Sequence, residues 1–242
     1  MIKQLAGFVL AALALPAAAQ QPTSFTWSIT PYLWASDTQV DLTFRDTALG
    51  GDTITFKDAL DQLDSSFMLN VEGGKGNWSA FADLTWLETS DTEQRPVFFL
   101  DTDTETTVLD AGVAYWPAGV GSSLSMLAGV RYTSFDNRYR FSLDGNPVSE
   151  VRDNDDYTDA LLGLRLIWPV GERWNLVTHA DVSFGDSEGT WLARVMLSRA
   201  VGKREMNRFL IGYQYKEADF KSGDLRTDFT YHGPVAGFSF RF

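Results

Sequence analysis

The chain contains no cysteine, which excludes a disulfide framework and thiolate metal sites. Basic residues are scarce as well: 20 Lys and Arg stand against 32 Asp and Glu, giving a formal charge of -12. Because nucleic acids are bound through clustered Lys and Arg, we expect no nucleic-acid partner. Aromatic residues make up 14% of the chain, and so many large apolar side chains exclude a disordered acidic protein.

Long apolar runs are also missing, so the sequence predicts no membrane-spanning helix. The longest apolar run, Leu5–Leu15, is too short to cross a bilayer permanently. It lies between Lys3 and the small-residue motif Ala17-Ala18-Ala19, an arrangement typical of a secretory signal peptide. We therefore predict a signal peptide over residues 1–19 and an exported domain over residues 20–242. A buried N-terminal helix is the alternative.

Apolar and polar residues alternate repeatedly in the exported part. In Trp78–Trp86, for example, the even-numbered residues are all apolar and the odd-numbered ones are mostly polar. Period-2 segments of about ten residues, separated by turns, are typical of transmembrane β-barrels. We predict about ten strands, near residues 25–35, 66–75, 78–87, 105–116, 124–135, 157–168, 174–184, 190–199, 207–217 and 226–242.

The connections between these strands alternate between short turns and longer polar loops, as in outer-membrane barrels. The longer loops contain 25 of the 32 acidic residues, whereas the short turns are net positive. In the first long loop, Leu60 and Leu63 are spaced for one or two helical turns. The predicted fold class is therefore all-β: a transmembrane antiparallel up-and-down barrel of about ten strands, with a short helix in the first long loop.

The strands of an exported β-sandwich also show alternating apolar and polar residues, so alternation alone does not tell whether lipid or a second sheet covers the apolar face. The positions of the aromatic residues distinguish the two. The tryptophans lie near predicted strand ends, where amphipathic rings favour a membrane interface. Two of them, Trp34 and Trp116, fall on the inward parity. We assign the other six to the membrane interfaces: Trp27, Trp78, Trp86, Trp168, Trp174 and Trp191.

The C-terminus carries three phenylalanines on one face, Phe238, Phe240 and Phe242. This ending resembles the signal carried by proteins that the outer-membrane barrel assembly machinery inserts. We expect the protein to lie in the cell outer membrane. Its expected partners are therefore outer-membrane lipid, lipopolysaccharide and, during biogenesis, that machinery.

Three segments, Trp27–Trp34, Leu127–Tyr132 and Ile211–Tyr215, carry a family resemblance, together with Gly233-Pro234 before the last strand. They resemble a proteobacterial family of outer-membrane β-barrel proteins of unknown function, of the size of small OmpA/OmpW-like or omptin barrels. The resemblance covers nearly the whole exported chain. Because its motifs define the fold, it implies location and architecture, and it brings no active site and no cofactor.

Charged residues occur at inward parity, five acidic and five basic. Unpaired charges in a barrel interior are costly, so we expect ion pairs between strands. About ten strands enclose a bore only slightly wider than one that side chains fill, which predicts a largely plugged lumen. The predicted lumen network comprises Glu72, Asp83, Asp110, Arg131, Asp159, Arg165, His179, Asp181, Arg194, Lys216 and Arg241.

His179 and Asp181 are the only candidates for catalysis, because an acid-oriented imidazole can act as a general base. Membership of the lumen ion network is the alternative, and a catalytic pair would have to lie at the outer rim or a lateral opening.

The acidic loops suggest a metal site: Asp153, Asp155 and Asp156, or Asp101, Asp103 and Glu105, offer oxygen ligands for Ca²⁺ or Mg²⁺. A solvated acidic surface is the alternative, and we predict no metal site.

Three functions follow. The leading one is a non-enzymatic envelope protein whose acidic outer loops contact lipopolysaccharide, divalent ions or partners. The second is a narrow channel, or a lateral pathway for small apolar molecules. The third is a barrel hydrolase or acyltransferase that uses His179 and Asp181.

Overall fold

The computed structural model describes residues 24–45, 47–94, 98–143, 146–202 and 206–242, and the predicted signal peptide lies outside them. The described residues form a short helix, α1 (Phe56–Gln62), and the following strands: β1 (Thr26–Trp34), β2 (Asp37–Phe44), β3 (Thr47–Ile54), β4 (Leu63–Lys75), β5 (Trp78–Gln94), β6 (Phe98–Tyr115), β7 (Leu124–Leu143), β8 (Asn146–Pro169), β9 (Trp174–Gly185), β10 (Gly189–Val201), β11 (Asn207–Ser222) and β12 (Leu225–Arg241). No helix in these ranges is long and apolar enough to cross a membrane.

Ten strands form a closed antiparallel barrel, in the order β1, β4 to β12, with β12 pairing back onto β1. The hairpin β2–β3 is added at the end of the barrel opposite the short turns, which we call the outer end. There β2 takes over from β1 the pairing with β12. The predicted fold class is therefore confirmed, including the ten-strand barrel and the helix α1 in the first long connection.

The register fixes the dimensions of the barrel. Direct cross-strand partners followed from Ser28 through β4 to β11 lead to Phe229 on β12, whereas Ser28 itself pairs with Arg241, twelve residues further along. This stagger tilts the strands by about 40° and gives a backbone radius of about 10 Å. Such a bore leaves room for side chains and a small cavity.

The strands are longer than the sequence indicated, because the predicted polar loops are mostly paired. β7 and β8 remain paired from Leu124↔Leu166 to Leu143↔Asn146, with one register shift between Phe141 and Ser142. Polar residues predominate in these extensions, and the apolar ones, such as Tyr139, Phe141 and Val148, are few, so the segments resemble polar loops. Cross-strand pairs stabilise them. Arg140 on β7, for example, lies 3.0 Å from Asp103 on β6. The acidic outer part of the protein is thus a set of strand extensions.

The outer surface of the barrel carries an apolar belt between two rows of tryptophan. Trp27, Trp78, Trp168 and Trp174 lie near the short turns and face outward, as the exposed apolar side chains of the belt do. Trp86 and Trp191 form the opposite row, and their indole nitrogens donate to Glu105 (2.8 Å) and Glu217 (2.7 Å). On β5 the two rows are eight residues apart, about 20 Å along the axis, close to the apolar height of outer-membrane barrels.

The C-terminal phenylalanines lie at the short-turn end of this belt. Phe240 and Phe242 are exposed, and the ring of Phe238 lies 4.8 Å from that of Phe240. Backbone hydrogen bonds between Trp27 and Phe242 hold the two chain ends together (3.1 and 2.9 Å). Both ends of the described chain therefore lie on the rim with the short turns.

Arginine substitutions at two positions of β8 test whether lipid or water covers the apolar belt. Leu164 (53% exposed) lies midway between the tryptophan rows, and Val148 (59% exposed) lies in the outer extension of the same strand. We expect Leu164→Arg to destabilise the barrel by about 2–4 kcal/mol in lipid vesicles. Val148→Arg should change the free energy of unfolding by less than about 0.5 kcal/mol. Urea titration of vesicle-inserted protein measures both, and equal small effects would indicate that water covers the belt.

Candidate functional site

The lumen contains side chains in successive layers along its axis. Its end next to the short turns, which we call the inner end, holds an apolar cluster. This inner cluster consists of Phe81, Ala114, Trp116, Leu127 and Leu161, against which Val120 and Ile167 pack. Trp116 lies in the turn after β6, is 2% exposed and donates from its indole nitrogen to Ser79 Oγ (2.9 Å). The turn therefore folds a bulky side chain into the inner mouth.

An aromatic cluster occupies the outer end of the lumen. Its rings lie within 4.7–6.5 Å of one another: Phe135, Tyr157, Phe220, Phe229 and Tyr231. The hairpin β9–β10 is short, and its turn is tied to both neighbouring strands by Asp186 N to Thr158 O (3.2 Å) and Glu188 N to Asp219 O (3.0 Å). Beyond this turn β8 and β11 approach each other, which brings Tyr157 and Phe220 into contact and narrows the outer mouth.

Arg131 connects three strands between these clusters. Its guanidinium is 2% exposed and donates twice to Asp110 on β6, at 2.7 Å each, and once to Asp181 on β9 at 3.0 Å. Two carboxylates on one buried guanidinium offset much of its desolvation cost, because the bidentate geometry suits both groups. Arg131 thus holds the middle of the lumen together.

A second ion pair lies nearer the inner mouth. Arg165 on β8 donates to Glu72 on β4 across the lumen (2.7 Å), and Ser79 donates to the other Glu72 oxygen (2.6 Å). The Arg165 guanidinium also lies 5.5 Å from the Trp116 ring centroid, a cation–π distance. This pair fixes the inner cluster to the charged layer.

Two predicted network acids are held by neutral donors rather than by bases. Asp83 accepts from the Tyr32 hydroxyl (2.6 Å) and from Asn70 Nδ2 (3.0 Å). Asp159 accepts from Ser183 Oγ, Ser187 Oγ and the Ser187 backbone N–H (3.1, 2.6 and 3.0 Å), so it anchors the β9–β10 turn. Interstrand ion pairing therefore covers only part of the predicted network.

Three predicted bases also lack a carboxylate partner within the described ranges. Arg194 donates to the Gln214 side chain and lies 5.5 Å from the Tyr32 ring centroid. Lys216 faces the lumen, partly buried, and its ammonium makes no hydrogen bond or ion pair with the described residues. Arg241 lies at the inner rim, exposed, with only its backbone N–H bonded, to Asn207. The inward charges number five of each sign, so these three bases balance the lumen acids without forming direct ion pairs with them.

The candidate catalytic pair lies inside this network. His179 Nε2 is 2.8 Å from Asp181 Oδ2, but Asp181 is 3% exposed and its other oxygen already binds Arg131. His179 pairs in register with Arg165 and Arg194, midway between the tryptophan rows. This position is neither the outer rim nor a lateral opening, so the pair does not meet the condition set for catalysis and we assign no reaction to it.

The acids of the outer extensions are largely engaged. Asp103 pairs with Arg140, Glu105 accepts from Trp86 and Asp156 accepts from the Tyr132 hydroxyl (2.8 Å). Within the described ranges no three His, Asp or Glu side chains are placed to hold a metal ion.

A cavity of about 840 Å³ runs along the lumen, and its lining includes residues of both clusters and of both ends of the barrel. Its wall combines apolar side chains such as Met68 and Leu192 with the charged groups Asp83, Arg131 and Lys216. The part of α1 around Ala59 lies over its outer end. The lumen is therefore hollow along its length and is narrowed towards each mouth by one of the two clusters.

Removal of Arg131 tests the central ion cluster. Arg131→Met leaves Asp110 without its ion-pair partner and Asp181 with His179 alone, so it should destabilise the barrel by about 3–5 kcal/mol. The double variant Arg131→Met/Asp110→Asn should recover about 1–2 kcal/mol of that loss. Urea unfolding of all variants gives the coupling energy, and strictly additive effects would contradict this role of Arg131.

Two acidic residues of the β8 extension should change the stability of that extension in opposite directions as the pH falls. Burial, with Asp153 and Asp156 nearby, raises the pKa of Asp155, whereas a hydrogen bond from Arg152 lowers the pKa of Glu150. Asp155 therefore destabilises the extension once ionised, and its protonation favours the paired state as the pH falls through the raised pKa. The contribution of Glu150 is present at neutral pH and is lost on acidification.

Hydrogen exchange of the β7–β8 extension measures both effects between about pH 7 and pH 4. Asp155→Asn should slow exchange at neutral pH, and Glu150→Gln should accelerate it. The same direction of change in both variants would contradict the assignment.

The sequence matches no protein-family model and no curated protein. Among solved structures, the outer-membrane protease OmpT from Escherichia coli is similar with a TM-score of 0.53 at 8% identity, covering 93% of this chain and 99% of that one. The attachment invasion locus protein Ail of Yersinia pestis gives a TM-score of 0.42 at 10% identity, covering 89% and 98%. The toluene transporter TodX of Pseudomonas putida gives 0.35 at 9% identity, covering 91% of each. The OmpT similarity shows that this chain has the fold of an outer-membrane β-barrel.

Proposed function

We propose that the protein is an integral, non-enzymatic barrel of the outer membrane whose lumen is closed to bulk solutes. The observation that carries this proposal is the packing of both lumen mouths by apolar and aromatic side chains. Tyr157 and Phe220 at the outer end and Trp116 and Leu127 at the inner end are buried, with exposures of 2–8%. A water-filled pore of large diameter would need these positions to be open or polar.

The apolar belt supports the membrane location. Side chains such as Leu162, Val195 and Ile211 are 48–50% exposed on the barrel wall. A contiguous apolar surface of this kind is an aggregation hazard in water, and lipid removes it. The C-terminal Phe238, Phe240 and Phe242 lie on the same surface, and we propose that they serve recognition by the barrel assembly machinery during insertion.

The acidic extensions support an orientation. Outer-membrane barrels have short turns on the periplasmic side and long connections outside, which places the acidic extensions at the cell surface. There they would meet the phosphates of lipopolysaccharide, so divalent cations would be needed to bridge the two negative surfaces. Contacts with lipopolysaccharide, cations or partner molecules are thus proposed for this surface.

Cell fractionation tests the location. We expect the folded protein in the outer-membrane fraction, with faster gel mobility when unheated than when boiled. A monodisperse protein in detergent-free buffer that fractionates with the periplasm would refute the location.

A second candidate function, a narrow channel, is favoured by the cavity of about 840 Å³.

Planar-bilayer recording distinguishes the closed barrel from the narrow channel. Closed mouths predict no stable channel on the nanosiemens scale for the natural chain. Tyr157→Ala/Phe220→Ala removes two rings from the aromatic cluster and should produce measurable steps, whereas Phe184→Ala, on the outer surface (54% exposed), should not. Stable steps with the natural chain would favour the narrow channel and overturn the closed lumen.

A further inference from the structure

In the described part of the barrel wall, the hydrogen-bonded ladder between β1 and β4 ends before either strand does. β1 and β4 pair from Thr26↔Gly74 to Pro31↔Leu69 and no further. Beyond that point the described part of β4, Leu63–Met68, pairs only with β5, while β1 and its continuation β2 pair with β12 and β3. The wall therefore has two unpaired edges, formed by Tyr32–Trp34 and Ser66–Met68. We call the space between them the β1–β4 opening.

The sequence accounts for the position of this opening. Proline has no N–H to donate to a ladder, so it occurs at strand edges rather than inside central strands. Pro31 is the last residue of β1 that pairs with β4. From there β1 follows β12, and the added hairpin β2–β3 takes the place beside it. α1 then returns the chain to β4 and lies over the outer end, with Phe56 N–H bonded to Asp37 (2.6 Å).

The opening lies at the level of the apolar belt. Its edges carry two outward apolar side chains, Leu33 (66% exposed) and Phe67 (48% exposed). Phe67 is the direct cross-strand partner of Trp86, which belongs to the outer tryptophan row. Unpaired strand edges are tolerated at bilayer depth only where they border a cavity or protein. The cavity described above meets that condition, because Met68 and Trp34 on the two edges both line it.

The cavity behind the opening contains hydrogen-bond donors without acceptors. The Lys216 ammonium interacts electrostatically with Asp83, Asp110 and Asp181 but makes no hydrogen bond to the described residues. The indole N–H of Trp34 is buried without an acceptor there. The two are near each other, because the Trp34 ring lies 6.0 Å from that of Tyr231, the direct cross-strand partner of Lys216. The nearby acid Asp83, by contrast, already accepts two hydrogen bonds. Both donors therefore lack an acceptor in direct contact, and the oxygens of an anionic group would supply one to each.

We propose that the β1–β4 opening admits a single-chain amphiphile with an anionic head group from the outer leaflet into the lumen. Lys216 and the Trp34 indole bind the head group, and the tail packs against apolar cavity residues such as Met68, Leu192 and Val235. A volume of about 840 Å³ is within the usual range of about 300–1,000 Å³ for pockets that bury one small ligand. The proposal goes beyond the closed lumen, because it uses a path through the wall and leaves both mouths packed.

Binding of a fluorescent fatty acid tests the head-group site. The probe is a dansyl-labelled undecanoic acid added to the full chain in nanodiscs made of zwitterionic lipid, and the blue shift of dansyl emission reports binding. Lys216→Met should weaken binding by at least about thirtyfold, because a buried charge pair loses one member, and Lys216→Arg should retain most of it. The alcohol analogue of the probe should bind the natural chain and Lys216→Met equally weakly.

Heat-modifiable gel mobility shows that each variant is folded before it is titrated. Equal affinities of the natural chain and Lys216→Met for the acid would overturn the head-group site. So would equal affinities of the natural chain for the acid and the alcohol.

Cysteine pairs test the opening itself, and the absence of native cysteine makes the chain suited to them. Leu33→Cys/Phe67→Cys spans the β1–β4 opening, and the control Ile29→Cys/Val71→Cys spans the closed part of the same ladder, where the two residues are direct partners. A disulfide forms only when the Cα atoms are within about 7 Å. The control should therefore oxidise rapidly and the test pair slowly.

A longer bis-maleimide should join Leu33→Cys to Phe67→Cys and then slow uptake of the dansyl probe at least about tenfold, while the cross-linked control takes it up at the natural rate. Oxidation of the test pair as fast as the control would show a continuous wall. Unchanged uptake after the long cross-link would show that the probe enters elsewhere. Either result overturns the entry path.

Discussion

The constraint on which this structure depends is the need of every backbone N–H and C=O at membrane depth for a partner within the protein. A sheet meets that need only by closing, and β12 closes the barrel by pairing with β1. Closure with a stagger of twelve residues sets the tilt and the bore, and the bore decides which inward side chains can meet. The lumen contacts follow from this geometry rather than from neighbourhood along the chain.

Arg131 illustrates that dependence. Its partners come from the adjacent strand β6 and from β9, which lies beyond β8. In a flat sheet the second contact would be out of reach, but in a barrel of about 10 Å radius the curvature brings it within one side-chain length. The same curvature lets Arg165 on β8 reach Glu72 on β4. A small bore thus allows buried charges to be retained by pairing across the lumen, and it leaves little width for conduction.

The sequence predicted the ten barrel strands, because period-2 alternation is a local property that can be recognised without knowledge of the tertiary structure. β2, β3 and the strand extensions fell in predicted loops, since polar residues predominate there. The partners of Asp83 and Asp159 were not predictable either, because they depend on interstrand register and on a turn that folds inward. The aromatic cluster was missed for a related reason: Phe135, Tyr157 and Phe229 lie at the edges of predicted loops, although their parity already matched the inward face of their strands.

Because the β1–β4 ladder ends at Pro31, side chains packed at both mouths of the lumen do not separate the cavity from the membrane. A barrel packed at both ends and fully paired around its wall would have no use for an interior cavity, and selection for stability alone would favour filling it. Here the cavity, the unpaired edges and the donors without acceptors occur in the same sector of the wall. Packing at the mouths then excludes water-borne solutes, while the side of the barrel remains the route for molecules that already reside in lipid. The interior would in that case be reached from the membrane rather than from either aqueous compartment.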